Sequence, residues 1–268
     1  MNDRAPLTRR VRGGAGDRLT AEGVPALDRH GLATRARLEQ RHWWFRGRRI
    51  VLEAALSRVR PAAAAEVLDL GAGTGATLDW LAPYGAAVGV EVNPLAVAWA
   101  RSRGHQVELA SAEQLPFDAG RFDLITCLDV LEHVADDAAA LAEARRVAAS
   151  DALLLVTAPA YPHLFAGHDV AAGHRRRYRR GELLELARAA GWRPQLVSHF
   201  NAILLPIAVA RRLFDRTNGR TRARSDLWAT PAALDGPLRL PLQFEAVLLR
   251  RGLCLPAGLS ILAALRPG

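Results

Sequence analysis

Apolar residues follow two periods along this chain, and the places where one gives way to the other mark its elements. Val67-Leu-Asp-Leu70 is a short, nearly continuous apolar run that stops at Gly71, as a strand buried on both faces of a parallel sheet does. A glycine turn and a helix follow, and Ala86-Ala-Val-Gly-Val-Glu91 predicts a second strand whose last residue is an acid. Ile50, Leu52 and Leu56 sit at helical spacing in a segment predicted helical over 34–60, ending at Pro61. Asn93 caps a predicted helix with Pro94 at its first position and Gly104 just past its end. Asp136 and Asp137 open another, with Leu141 and Val147 turned inward and Arg145 and Arg146 at the end where the helix dipole favours cations. Residues 181–190 predict a helix ended by Gly191, and Gln195–Phe200 and Leu255–Leu265 predict strands. Between those strands, 201–252 is expected to be an inserted cap with apolar helices at Ile203–Phe214 and Phe244–Leu249. Residues 1–25 hold five arginines, four glycines and few large apolar groups, so a disordered basic tail is expected there, with 26–268 a single domain.

The turn between the first two strands carries the first chemical signal. Gly71, Gly73 and Gly75 allow a tight turn, close approach to a ligand and free backbone N–H groups at a helix start. Glu91 ends the next strand at the same sheet edge, where a carboxylate accepts both hydroxyls of a ribose. The pair of features specifies a nucleoside. Gly71-Ala-Gly-Thr-Gly-Ala76 also satisfies the loose dinucleotide fingerprint, so on this stretch alone NAD stays open beside other nucleoside cofactors.

The packed form Asp69-x-Gly-x-Gly-x-Gly75 resembles the first motif of class I S-adenosylmethionine-dependent methyltransferases, and further segments match the same family. Glu108-Leu-Ala-Ser-Ala-Glu-Gln-Leu-Pro-Phe117 is similar to its turn after strand three, with Ser111 where the family has an adenine-binding acid. Phe122–Leu128 followed by Asp129-Val-Leu-Glu-His-Val134 resembles strand four and its tip, and Asp151–Pro159 resembles strand five. The resemblance covers about residues 65–160. It implies an α/β fold, a doubly wound Rossmann-like sheet of seven mostly parallel strands, with an N-terminal helical segment and a helical cap inserted before the last strand. The last two strands pair antiparallel in that family. S-adenosyl-L-methionine is the implied cofactor, with Asp69, Gly71, Gly73, Gly75, Glu91, Ser111, Ala112, Glu113 and Asp129 as its binding residues.

Two more stretches resemble an uncharacterised bacterial branch of the family. One is His42-Trp-Trp-Phe-x-Gly-Arg48, in which Trp44 with Arg46 or Arg48 is expected to lid the cleft. The other is Asp169-x-x-x-x-His174-x-x-Arg177-Tyr178, in the loop that crosses the cleft mouth after strand five. Trp44, His168, Asp169, His174, Arg177 and Tyr178 are accordingly the expected substrate contacts, and the arginine cluster suits a phosphate or carboxylate gripped bidentately. His133 is the expected general base, and Glu132 is expected to orient it, bind substrate or help hold a divalent ion. No dedicated metal centre is expected, since Cys127 and Cys254 lack ligand spacing.

Composition refines the functional reading. The net charge of +9 invites a nucleic-acid partner, but the chain contains no lysine, and its 27 acids are spread among 36 arginines. That pattern reflects coding bias rather than a basic binding face. The Asn/Asp-Pro-Pro-aromatic signature of nucleic-acid amine methylation is replaced by Cys127-Leu-Asp-Val130. Methyl transfer to an oxygen of a small molecule or a glycan or lipid precursor is the favoured expectation. RNA methylation, an NAD-dependent oxidoreductase and an inactive cofactor-binding scaffold follow as alternatives. Two cysteines and no apolar run of about 20 residues suggest a cytoplasmic protein. Ile203–Phe214 with its paired arginines adds the expectation of peripheral contact with anionic lipid.

Overall fold

The computed structural model describes residues 29–61, 65–210 and 232–268. The expected basic tail and the centre of the cap lie outside the described residues.

Seven strands form one sheet: β1 (Ala65–Leu70), β2 (Gly85–Glu91), β3 (Gln106–Leu109), β4 (Phe122–Leu128), β5 (Ala148–Pro159), β6 (Trp192–Phe200) and β7 (Ser260–Pro267). Their order is β3-β2-β1-β4-β5-β7-β6, parallel except for β7, which runs antiparallel to both β5 and β6. The helices are α1 (Arg29–Arg41), α2 (Trp43–Val59), α3 (Ala76–Leu81), α4 (Pro94–Ser102), α5 (Asp137–Val147), α6 (Gly167–Ala172), α7 (Arg180–Ala189) and α8 (Asp235–Arg250); residues 205–210 are also helical.

Period-two alternation along the central strands feeds two cores. Ile125, Cys127, Leu154, Val156, Ile261 and Ala263 point to the face covered by Leu141 and Val147 of α5 and Leu183 and Ala187 of α7. Leu124, Leu128, Leu153, Leu155 and Leu262 point to the other, covered by Val51, Leu52 and Leu56 of α2 and Leu242, Ala246 and Leu249 of α8. The switch in strand order between β1 and β4 leaves a crevice at the carboxyl ends of the strands, where a ligand of such a sheet binds.

Several boundaries differ from the expected ones for local reasons. The N-terminal helical segment breaks at His42, which takes an extended conformation and accepts the N–H of Trp44 at 3.3 Å through Nδ1, capping α2. β6 begins three residues early because Pro194 is tolerated on the outermost strand of the sheet. β7 begins late, at Ser260: Pro256 has no N–H to give, and Leu255 makes only an isolated bridge to His199.

The described part of the insertion is a buttress. Asp235 Oδ1 accepts the N–H of Trp43 at 3.0 Å, fastening the start of α8 to the start of α2. Buried Glu245 accepts the N–H groups of Asn201, Ala202 and Ile203 at 2.6, 2.8 and 3.3 Å, satisfying the backbone where the chain leaves β6. No helix among the described residues is long and apolar enough to cross a membrane.

Candidate functional site

The crevice is built first from the β1 and β2 tips. Gly71 and Gly73 take φ of 71° and 55°, in the left-handed region that β-substituted residues avoid. Gly71 also has no room for a side chain, since a Cβ there would lie 2.6 Å from Val130, whereas one on Gly73 would meet only Gly71 O at 3.9 Å. Gly75 caps α3. Glu91 Oε2 accepts the N–H of Gly73 at 2.9 Å and Oε1 accepts that of Asn93 at 2.8 Å, locking the glycine loop to the end of β2. Asp69 is buried with Thr126 Oγ1 donating to one oxygen at 2.6 Å, and its other oxygen has no partner. Burial raises its carboxyl from 3.8 to about 7, against the opposing Thr126 bond and nearby Arg48. A buried acceptor without a donor, beside a glycine turn held in left-handed backbone, fits an ammonium-bearing nucleoside such as S-adenosylmethionine. Ser111 Oγ donates to Glu113 at 3.0 Å, Ala112 is buried beside them, and the other Glu113 oxygen accepts the N–H of Asp136 at 2.6 Å. Glu113 thereby ties the post-β3 turn to the start of α5.

The β4 tip forms the other wall. Asp129 has φ of 58°, an uncommon conformation for a residue with a side chain, and it is over-determined by contacts. Thr157 Oγ1 donates to Oδ1 at 2.8 Å, and Arg48 of α2 donates to Oδ2. Two ties from the N-terminal helices to this rim were not legible in the sequence: Arg48 to Asp129, and Thr74 Oγ1 to Glu39 of α1. Trp44 stacks on Phe200 at 5.8 Å and 15°, so its ring anchors α2 to the end of β6.

Beyond Asp129, Glu132 is buried and His133 mostly so. Burial, reinforced by Asp129, pushes Glu132 well above the usual carboxylate range. Burial, then the neighbouring His174, lowers His133 from 6.5 to about 4. His133 Nδ1 donates to Gly173 O at 3.2 Å, so the proton sits there and Nε2 carries the lone pair.

The loop after β5 is stitched onto this tip rather than open to solvent. Arg175 donates its N–H to Glu132 O at 2.7 Å, and its Nε to His133 O at 3.0 Å. Arg176 donates to Val134 O, to Ala135 O and to Asp137. The expected substrate contacts Asp169, Arg177 and Tyr178 are 0%, 8% and 5% exposed. Arg177 pairs with Asp169 at 2.7 Å and donates to Ala160 O; the Tyr178 hydroxyl donates to Asp137 at 2.7 Å and also lies 3.0 Å from Leu131 O. These three brace the loop from beneath, because a buried guanidinium and a buried carboxylate satisfy one another better than either would a ligand. The arginines that were expected to grip phosphate thus serve backbone carbonyls and acids. Burial opposes the charge of Asp169, but hydrogen bonds from His174 and Arg177 hold its carboxyl below the usual range. His174 reaches back to the tip, its ring 4.9 Å from that of His133, and His168 packs 6.2 Å away.

Comparisons with known proteins agree with this geometry. Residues 68–156 match the model of a methyltransferase domain. A Mycobacterium tuberculosis protein named a probable S-adenosylmethionine-dependent methyltransferase is 31% identical over 160 residues, 58% of this chain and 57% of that one. The chain therefore spans little more than half the length of that curated relative. A ubiquinone biosynthesis O-methyltransferase of Coxiella burnetii is 40% identical over 77 residues, 26% of this chain and 33% of its own. A SAM-dependent methyltransferase of Thermotoga maritima shares the fold at a TM-score of 0.52 and 23% identity, covering 63% of this chain and 82% of its own. The 3-2-1-4-5-7-6 sheet with its single reversed strand, the glycine cradle closed by Glu91 and the segment matched over residues 68–156 together resemble a class I S-adenosylmethionine-dependent methyltransferase domain.

Proposed function

We propose that this chain transfers a methyl group from S-adenosylmethionine to an oxygen of a small-molecule acceptor. The observation that carries the reading is the opposition, across one crevice, of the Glu91-locked glycine cradle and the neutral imidazole of His133. When bound, S-adenosylmethionine supplies an electrophilic methyl group on a sulfonium. Glu91 accepts the ribose hydroxyls, the unpartnered Asp69 oxygen faces the ammonium end, and the turn at Ser111 and Ala112 borders the adenine. An acceptor hydroxyl held at the β4 tip gives up its proton to His133 Nε2, whose tautomer is fixed by Gly173.

Calorimetric titration with S-adenosylmethionine, S-adenosylhomocysteine and NAD tests the reading. Micromolar binding of the first two, lost in Glu91→Ala, supports it. Binding of NAD alone would overturn it in favour of an oxidoreductase.

A second reading is that the acceptor is lipid-linked and that the insertion rests on a membrane surface. Exposed Ile203, Ile207, Leu240 and Phe244 on the described parts of the insertion favour it. Sedimentation with anionic vesicles, compared with Phe244→Asp, tests it; equal binding of both proteins would count against it.

A further inference from the structure

One group in the crevice has no role in the proton transfer just described. Glu132 is 1% exposed, its Oε2 has no hydrogen-bond partner, and its Oε1 lies 4.0 Å from His174 Nε2. An ionisable oxygen buried without a donor is costly unless something is missing from its surroundings. Glu132, His133 and His174 each offer a ligand atom, and these atoms all lie within 4.8 Å of one another.

A bond at Nδ1 fixes the tautomer of each histidine. His133 gives its Nδ1 proton to Gly173 O at 3.2 Å, and His174 gives its Nδ1 proton to Asp169 at 2.9 Å. Each imidazole therefore keeps the lone pair of its Nε2, and that of His174 lies 4.0 Å from Glu132 Oε1. A carboxylate or carbonyl behind each imidazole is the outer arrangement that fixes metal-ligating histidines, and here Arg177 in turn fixes Asp169. His174 is 12% exposed at its side chain, so one member of the cluster reaches solvent.

We propose that Glu132, His133 and His174 bind a divalent transition-metal ion with open positions facing the acceptor. Two imidazoles and one carboxylate suit zinc, iron or cobalt and not magnesium or calcium, which prefer all-oxygen shells. Bonds of about 2.0–2.2 Å place neighbouring ligands about 3.3 Å apart, so the His174–Glu132 pair, now at 4.0 Å, closes on binding. The role of the ion rests on the methyl-transfer reading: it would acidify an acceptor hydroxyl and hold a second oxygen beside it, which makes vicinal hydroxyls or a hydroxyl next to a carbonyl the acceptor class. With the ion bound, the ion replaces His133 as the group that activates the acceptor: His133 Nε2 holds the metal, and the acidified hydroxyl loses its proton to solvent as the oxygen forms its bond to the methyl carbon and the carbon–sulfur electron pair returns to sulfur.

The test uses the full chain, stripped with EDTA and titrated with Co2+ by visible absorption and equilibrium dialysis, with Zn2+ and Mg2+ as competitors. A single equivalent bound, displaced by Zn2+ and not by excess Mg2+, and weakened at least tenfold in both His174→Ala and Glu132→Gln, is the expected result. No Co2+ binding, or binding unchanged in both variants, would overturn the proposal. S-adenosylhomocysteine titration of each protein runs beside it. Retained nucleoside affinity shows the variants folded, and metal binding by a wild-type chain that ignores the nucleoside would sink the methyl-transfer reading and leave the metal site standing. Should His174→Ala not fold, Glu132→Gln, which keeps the side-chain shape, decides the comparison.

Discussion

Glu91 and Gly73 lie 18 residues apart in the chain and share a hydrogen bond of 2.9 Å, from the glycine N–H to the carboxylate. The acid that would read a ribose is thus also the clamp that holds the cradle in shape. Glu91→Ala is expected to weaken S-adenosylhomocysteine binding at least tenfold while the far-ultraviolet circular dichroism is unchanged, because the lost bonds lie in a loop and not in the sheet. Glu91→Gln, which keeps an acceptor for Gly73, is expected to fall between the two. Equal affinity in all three proteins would remove Glu91 from the ribose site.

On the proposed reading, Asp69 is expected to make cofactor binding depend on pH. With its carboxyl raised to about 7 by burial, the native protein holds this proton more tightly than the unfolded chain does. The stability it contributes is present below about 3.8, the unfolded value, and is lost as pH rises through about 7. Asp69→Asn, which keeps an acceptor for Thr126, is expected to raise the melting temperature of the ligand-free protein at pH 8 by on the order of 5 °C, with the gain gone near pH 3. A cationic amine beside Asp69 favours its ionised form. Calorimetry at pH 6 in buffers of different ionisation enthalpy is therefore expected to report proton release on binding S-adenosylmethionine, and none in the variant.

His133→Ala separates binding from turnover. Cofactor affinity is expected to stay within about twofold of wild type, while single-turnover methylation of an accepted substrate falls by about 100-fold or more, the usual worth of a positioned acid–base group. A fully active variant would remove His133 from the reaction.

Gly89 on β2 is packed against the cradle from behind: a Cβ there would come within 2.5 Å of the Ala72 methyl and 3.3 Å of Leu78. Gly89→Ala is expected to cost about 1–3 kcal/mol by overpacking and to push Ala72 into the glycine turn. Thermal melts and nucleoside titration should both worsen; a lower melting temperature with normal affinity would show that the loop absorbs the shift.

Glu245 supports the insertion. Glu245→Ala strands the N–H groups of Asn201, Ala202 and Ile203, and a loss of several degrees in melting temperature is expected. Glu245→Gln should recover part of it.

The legible half of the site is the half written in one stretch. Asp69, the glycines and Glu91 fall within 23 residues, with a strand, a turn and a helix whose periods are distinct, so their meeting at one sheet edge follows from the right-handed crossover of parallel strands. Glu132 and His133 were legible by the same route at the tip of β4. What pairs with them was not. His174 stands 41 residues beyond His133, and Arg48 stands 81 before Asp129, and no local period encodes a contact over such a span. Burial was also opaque: Asp169, Arg177 and Tyr178 have the composition of an exposed basic loop, and only the pairing of Arg177 with Asp169 and of Tyr178 with Asp137 makes the interior accessible to them.

Arg48 and Glu39 have a consequence for how such a protein diversifies. Both lie on helices before the matched segment 68–156, yet one grips the tip of β4 and the other the glycine turn. On the proposed reading the two helices thus brace the donor cradle and the tip of β4 from outside the matched segment, so a change in either helix is felt at both walls of the crevice. Exchanging the residues before Ala65 between two such proteins would be expected to alter donor affinity as well as acceptor preference, because the graft carries the partners of Thr74 and Asp129.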